Sequence, residues 1–205
     1  MKTILSNGLT RSLFLLMFMA TVVIAQAQTL SIKSSTVTIN GETNVNHDFK
    51  INATKVNGKM TIANNRPETL TVEIPVKSLI SGENLMDKKT HEAFNEPKNP
   101  TILFNMTELN SIQVTGDNIA VTITGNLSFS GATKKVTLKA DGKTASPGVY
   151  TFEGSLPIKM SDYGMKPPTA MLGTMKTKDQ VTVNYKVTFE GAAVDFDTTA
   201  YTQNK

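Results

Sequence analysis

Two histidines are the residues of this chain best suited to acid–base chemistry, because the sequence contains no cysteine. The lack of cysteine excludes thiol nucleophiles, disulfides and cysteine-ligated metal sites. His91 precedes Glu92, and an imidazole beside a carboxylate can act as a general acid and base. Adjacent residues on a helix do not face each other, however, and no nucleophile accompanies the pair. We therefore expect no catalytic residues, with His91 capping a helix and bonding to a neighbouring strand; an enzyme that uses His91 and Glu92 is the alternative.

A metal site would have to combine the two histidines with acidic residues that are distant in the chain. His47 with Asp48, and His91 with Asp87 or Glu92, would have to supply the ligands. Nothing in the sequence has the short spacing of a zinc-binding motif such as H-E-x-x-H. The sequence therefore predicts neither a metal ion nor a cofactor.

Four methionines lie close together in a segment rich in glycine and proline. They are Met160, Met165, Met171 and Met175. Thioether groups bind Cu(I), but the spacing here is irregular and no histidine lies among them. Methionine more often lines an adaptable apolar surface, because its side chain is flexible and polarizable. We expect these residues, together with Tyr163, to form an apolar gate, with Cu(I) binding as the alternative.

Lysines occur in pairs that could meet an anionic group. They lie at positions 88–89, at 134–135, and at 176 and 178. Near the mouth of a binding site they could bind a diphosphate or another anionic head group, and elsewhere they would form a solvated surface. The formal net charge is +4, but Lys2 and Arg11 are two of the 21 basic residues, which leaves 19 against 17 acidic ones. This excess is too small to predict nucleic acid as a partner.

The first 27 residues have the features of a secretory signal peptide. Lys2 and Arg11 form a basic region, residues 13–24 are almost entirely apolar, and Ala25-Gln26-Ala27 is a small-x-small cleavage site. The apolar run is shorter than the roughly 20 residues that a membrane span needs. We expect the mature chain to begin at Gln28, to have no transmembrane segment, and to be secreted into the periplasm.

Most of the remaining chain alternates between apolar and polar residues, which is typical of strands with one buried face. The clearest run extends from Val181 to Phe189, and similar runs lie at residues 72–76, 102–106, 119–129 and 150–160. Turn signals such as Asn57-Gly58 separate the runs. The pattern predicts about eight antiparallel strands, which must either stack as two sheets or close into a barrel.

Two segments interrupt the alternation. Between Ser81 and Phe94, apolar residues repeat at three- and four-residue spacing, which predicts a short helix with Ser81 as its N-cap and Pro97 and Pro100 beyond its end. Residues 161–178 are too long and irregular for a hairpin. Such loops are usually lids, binding loops or disordered segments, and the methionines favour a lid.

Three groups of residues make the chain resemble a known family. In the first group, Asp87 is followed by a His-Glu-Ala-Phe sequence at residues 91–94 and by Asn-Pro-Thr-Ile at residues 99–102. The second is the predicted hairpin of residues 124–137, and the third is Asp-Tyr-Gly at residues 162–164. With these features the chain resembles the YceI-like family of secreted polyisoprenoid-binding proteins over nearly the whole mature chain.

The resemblance implies an all-β fold, an antiparallel lipocalin-like β-barrel with one short helix at its end, and an isoprenoid chain held in an apolar tunnel. We expect a signal peptide at residues 1–27, the barrel domain at residues 28–190 and a C-terminal tail at residues 191–205. The partner is an isoprenoid or lipid-like small molecule that the protein binds or transports without chemistry, as a monomer or homodimer. An enzyme acting on the bound lipid and a filled barrel that acts through its surface are the competing functions. The predicted ligand-binding residues are Phe49, Met86, His91, Phe94, Phe104, Met106, Phe129, Phe152, Met160, Tyr163, Met165 and Met171.

Overall fold

The computed structural model describes residues 27–197, 199 and 201–202. The predicted signal peptide therefore lies outside the described residues, apart from Ala27. The described chain forms one α-helix, α1 (Asn84–Ala93), and the strands β1 (Gln28–Glu42), β2 (Asp48–Ala53), β3 (Asn57–Ala63), β4 (Arg66–Pro75), β5 (Leu79–Ile80), β6 (Thr101–Thr115), β7 (Asn118–Phe129), β8 (Ala132–Ser146), β9 (Val149–Lys159), β10 (Thr169–Ala170), β11 (Met175–Lys176), β12 (Gln180–Gly191) and β13 (Tyr201–Thr202).

Eight of these strands close into an antiparallel barrel. The order around it is β12, β9, β8, β7, β6, β4, β3 and β1, and β1 pairs again with β12. Outside this circle, β2 extends from β1 and carries β5 on its other edge. The predicted all-β fold with one short helix is confirmed, and the eight strands close into a barrel rather than stacking as two sheets.

Alternation along the strands separates the lumen from the outer wall. In β12, the residues from Val181 to Phe189 that the sequence assigns to one face all lie on the lumen side. Strand β6 departs from this regularity, because register shifts between Met106 and Glu108 and between Leu109 and Ser111 interrupt its pairing with β7. Such bulges bend a strand and change which residues face inward.

The helix is present but begins later than the sequence predicts. Its N-cap is Glu83 rather than Ser81, and no side chain caps it. Ser81 instead donates from its backbone N–H (2.7 Å) and from its hydroxyl (2.6 Å) to the carboxylate of Asp87 inside the helix. The helix ends at Ala93, and Asn95 adopts a left-handed conformation (φ +52°), so the chain turns before it reaches Pro97.

The two ends of the barrel differ. At one end, which we call the mouth, lie α1, the turn between β1 and β2, and residues 160–179. At the other, the closed end, residues 192–197 and 201–202 fold back over the strands. Phe196 is buried there against Tyr150, the Tyr150 hydroxyl exchanges hydrogen bonds with the backbone of Val194, and Tyr201 pairs with Ile112. The segment predicted as a tail thus packs on the barrel.

Candidate functional site

The barrel encloses a cavity of about 950 Å³ that runs along most of its length. Lining residues extend from Ile74 and Met160 at the mouth to Pro67 and Phe189 near the closed end. This volume is at the upper end of the range of roughly 300–1,000 Å³ typical of small-molecule sites. An ordinary filled core would leave no such space, since protein interiors contain few voids larger than a water molecule.

Polar groups in the cavity wall are concentrated at the mouth. In the part of the chain that the structure describes, Tyr185 is the one polar lining residue away from the mouth, and its hydroxyl donates to the backbone oxygen of Lys139 (2.8 Å). Burial, with a smaller effect from the charge of Asp141, raises the pKa of Tyr185 to about 12. The polar lining residues at the mouth are Thr43, His47, Glu83, Lys89, Thr90, Thr169 and Thr177.

Most of the residues that the sequence predicts to bind ligand contribute to this wall. They come from separate elements, and the closed barrel brings them together. Those that line the cavity are Phe49, Met86, Phe94, Phe104, Met106, Phe129, Phe152, Met160 and Met165.

Of the other three predicted ligand-binding residues, His91 and Tyr163 are not among those that line the cavity. The ring nitrogen Nε2 of His91 is 3.1 Å from the backbone oxygen of Leu79, so His91 joins the last turn of α1 to β5. Tyr163 is buried behind the wall and stacks on Phe129, with ring centroids 3.8 Å apart. Its hydroxyl is buried without a hydrogen-bond partner, and burial raises its pKa. The side chain of Met171 lies outside the described residues.

Sequence reasoning misses several lining residues. Tyr185 and Leu156 share the inward parity of their strands, and that alternation could have identified them. Leu85 and Leu172 also line the cavity although they are exposed, and no sequence pattern indicates that position.

Glycines on neighbouring strands hold four lumen-facing aromatic rings against the wall. Phe49, Phe152 and Tyr185 lie directly across the strand pair from Gly41, Gly142 and Gly154. Phe104 covers Gly125 from the diagonal position. A Cβ atom added at any of these glycines would come within 2.4–2.6 Å of the ring or its hydroxyl. The rings therefore occupy the space where side chains would stand, which keeps the lumen open.

Residues 160–179 form a lid over the mouth. Met160 and Met165 are buried, and β10 and β11 pair as a short hairpin within this segment. At its base, Asp179 accepts hydrogen bonds from the Ser161 backbone N–H (2.8 Å) and hydroxyl (2.6 Å), and these bonds lower the pKa of Asp179. Farther along, the side chain of Asn44 accepts from the Lys176 N–H and donates to the Thr174 oxygen. The Ser161–Asp179 bonds thus join the two ends of the lid, and Asn44 holds the lid to the β1–β2 turn.

The residues considered for catalysis do not face the cavity. Neither His91 nor Glu92 lines it, and Glu92 lies 3.9 Å from the ammonium of Lys88 and 3.6 Å from that of Lys89. Within residues 27–202, so far as they are described, no three His, Asp or Glu side chains are grouped so that they could hold a metal ion. The same residues include no helix that is long and apolar enough to span a membrane.

Curated relatives of this chain are UPF0312 proteins. One from Pseudomonas aeruginosa is 34% identical over 118 residues, which is 53% of this chain and 59% of the relative. One from Azotobacter vinelandii is 32% identical over 110 residues, which is 49% of this chain and 55% of the relative. The matched region thus spans less than two thirds of the length of these relatives.

Solved structures share the fold at low sequence identity. The crystal structure of BcnA from Burkholderia cenocepacia has a TM-score of 0.62 and 19% identity, and the match covers 75% of this chain and 95% of that chain. A polyisoprenoid binding domain from Saccharophagus degradans has a TM-score of 0.64 and 12% identity, over 80% of this chain and 98% of that domain. The model of the YceI-like domain family matches residues 26–189, nearly the whole barrel. The chain, whose described residues form an eight-stranded barrel with an apolar lumen and one α-helix, therefore belongs to the YceI-like domain family.

Proposed function

We propose that this protein binds an isoprenoid or another lipid-like amphiphile inside its barrel and carries it without changing it chemically. The observation that carries the proposal is the apolar cavity of about 950 Å³, which opens at the mouth and is covered at the other end. A polyisoprenoid binding domain has the same fold, which supports this ligand class.

The distribution of polar groups sets the orientation of the ligand. An apolar chain would lie along the lumen, because burying a polar group there without a hydrogen-bond partner would be unfavourable. The head group would stay at the mouth, where Lys89, His47 and several threonines line the opening together with Glu83. Lys89 is about half exposed, so it can meet an anionic head group while remaining in contact with water.

We also propose that the protein does not catalyse a reaction of its bound ligand. A general base must lie within hydrogen-bond reach of its substrate, and His91 and Glu92 are outside the cavity wall. The ring nitrogen of His91 is engaged with Leu79, and the carboxylate of Glu92 lies between two lysines. A His91→Ala variant should therefore retain any ligand binding, and turnover of a bound lipid that disappears in this variant would favour an enzyme instead.

We propose that the protein works in the periplasm after removal of residues 1–27. The basic residues, the apolar run and the Ala25–Ala27 site support export. The intact mass of the exported protein should correspond to a chain that begins at or near Gln28, and a full-length mass in the periplasmic fraction would contradict export with cleavage.

A matched pair of substitutions on β8 tests binding in the lumen. Ala140 lines the cavity, and its neighbour Lys139 is exposed on the outer wall. Ala140→Trp should fill part of the lumen and weaken binding of a fluorescent prenyl or fatty-acyl probe by at least about tenfold, whereas Lys139→Trp should bind the probe as the wild type does.

The same proposal predicts a co-purified lipid. Mass spectrometry of protein extracted from its native host should detect an isoprenoid or acyl-chain molecule that is depleted in Ala140→Trp. Equal probe affinity in the two variants, with both folded by circular dichroism, would contradict binding in the lumen and would favour a protein that acts through its surface.

A further inference from the structure

The large apolar side chains that remain exposed gather at the mouth. Among the described residues they are Leu172, which is fully exposed, and Leu85 and Val45, which are 66% and 55% exposed. Leu85 and Leu172 line the opening of the cavity, and Val45 lies in the β1–β2 turn whose neighbours Thr43 and His47 also line it. Three such residues around one opening differ from the scattered apolar residues expected on a protein surface.

Leu172 is held outward by the backbone of the lid. It adopts a left-handed conformation (φ +58°), followed by Gly173 with φ +89°, so the chain reverses at this residue. A leucine in this conformation is uncommon, and its full exposure adds a hydrophobic cost. Both features are explained if the tip of the lid enters an apolar phase.

The charges in the lid indicate which apolar phase its tip, Leu172-Gly173, would enter. Apart from Asp162 and Asp179 at its base, the lid contains no acidic residue, and its residues 164–178 contain Lys166, Lys176 and Lys178. Lys178 pairs with Glu42 of β1, while the side chains of Lys166 and Lys176, in the same segment as Leu172, are exposed. Lysines flanking an apolar tip are suited to a bilayer with anionic lipids, where the leucine enters the acyl boundary and the ammonium groups remain among the phosphates.

We propose that the mouth docks on the surface of an anionic phospholipid bilayer, with Leu172, Leu85 and Val45 inserted and Lys166 and Lys176 among the head groups. In this orientation the cavity opens directly towards the acyl layer, so a hydrophobic ligand enters or leaves without crossing water. This use of the surface rests on the proposed lipid-binding function, but the docking itself does not require a bound ligand.

The test is co-sedimentation with vesicles of phosphatidylcholine, with and without phosphatidylglycerol. The wild type should bind the anionic vesicles more tightly, and salt should weaken this binding because exposed charges are screened. Leu172→Ser should weaken vesicle binding by at least about fivefold, as expected for loss of one inserted leucine. The double variant Lys166→Gln/Lys176→Gln should lose most of the preference for anionic lipid, whereas Lys139→Gln/Lys143→Gln, with the same charge change on the barrel wall, should keep it.

A second readout separates docking from ligand binding. Val45, Lys166 and Lys176 do not line the cavity, so Val45→Ser and the Lys166→Gln/Lys176→Gln variant should bind a soluble short-chain prenyl probe as the wild type does while binding vesicles less. Wild type that binds vesicles but takes up no probe would refute the proposed function and still support docking. The docking proposal would be overturned if the wild type did not bind anionic vesicles or if Leu172→Ser bound them as tightly as the wild type. It would also be overturned if the protein self-associated and Leu172→Ser abolished that self-association.

Discussion

At the scale of single residues, the width of the lumen depends on glycines, which place no side chain between the aromatic rings and the wall. Phe152 can lie flat on the wall because its cross-strand partner is Gly142. The sequence shows the phenylalanines and their inward parity, but not these pairs, because the partner of each ring is set by strand register. For the same reason the position of Tyr163 behind the wall is not evident from the sequence. The expected bond from His91 to a neighbouring strand, in contrast, is confirmed by its contact with the Leu79 oxygen.

Substituting Gly142 with alanine should narrow the cavity. The added Cβ would lie 2.6 Å from Cδ1 and Cε1 of Phe152, so the ring must move into the lumen. We expect a loss of about 1–3 kcal/mol in the free energy of unfolding, as for other overpacked cores, together with weaker binding of a prenyl probe. Chemical denaturation and probe titration measure the two effects. Adding Phe152→Leu should recover part of both, and a Gly142→Ala variant that melts and binds as the wild type does would show that the ring does not limit the lumen.

At the scale of elements, the sequence predicts structure well where periodicity is strong. It fails where contacts between residues determine where an element begins or what it is attached to. The alternation from Val181 to Phe189 predicts β12 and its buried face. Helical spacing predicts α1 but not its start, because Asp87 takes both donors of Ser81 from within the helix. The irregular composition of residues 161–178 indicates the lid. Its attachment to Asn44 joins residues that are more than a hundred positions apart in the chain, so local sequence does not indicate it.

Acid should release the base of the lid. The hydrogen bonds from the Ser161 hydroxyl and backbone N–H lower the pKa of Asp179 below its ordinary value of 3.8. A carboxyl whose pKa is lowered by folding stabilises the folded state above its ordinary pKa and loses that contribution as the pH falls through the lowered value. Hydrogen exchange of residues 164–178 should therefore be slow near pH 6 and accelerate, beyond the intrinsic pH effect, below about pH 4.

Asp179→Ala should show the fast exchange of the lid already at neutral pH. The control is Asp117→Ala, since Asp117 is an exposed turn residue at the closed end and contacts the rest of the barrel through its backbone oxygen. Lid exchange in Asp179→Ala that matches this control would mean that the serine–aspartate bonds do not hold the lid.

At the scale of the whole molecule, the barrel has one open and one covered end. The sequence predicts only a tail after the last strand, because Val194, Phe196 and Tyr201 show no strand or helix period. Their burial depends on tertiary contacts alone: Phe196 packs on Tyr150, and Arg66 pairs with Asp197 and lies over the Tyr201 ring, 4.5 Å from its centroid. Sequence patterns report local periodicity, so a segment that is ordered only by what it covers is easily missed.

Phe196 should contribute more to stability than the charged pair beside it. Removing a buried phenylalanine side chain typically costs about 3–5 kcal/mol, which for a domain of this size lowers the melting temperature by about 6–20 °C. Arg66 and Asp197 are each about one third exposed, so Arg66→Ala should cost only about 1 kcal/mol. Thermal denaturation of Phe196→Ala and Arg66→Ala distinguishes the two, and equal losses would mean that the segment is held by charge rather than by packing.

The covered end is also where the chain enters and leaves the barrel. Gln28 pairs with Ile62 at the end of β3, and Tyr201 pairs with Ile112 near the end of β6, so both termini of the described chain emerge opposite the mouth. Any tether attached at either terminus, including a leader that was not cleaved, would hold the covered end against its anchor and point the opening away from it. Under the proposed export, cleavage before Gln28 would remove such a tether and allow the molecule to reorient so that its opening faces a membrane surface.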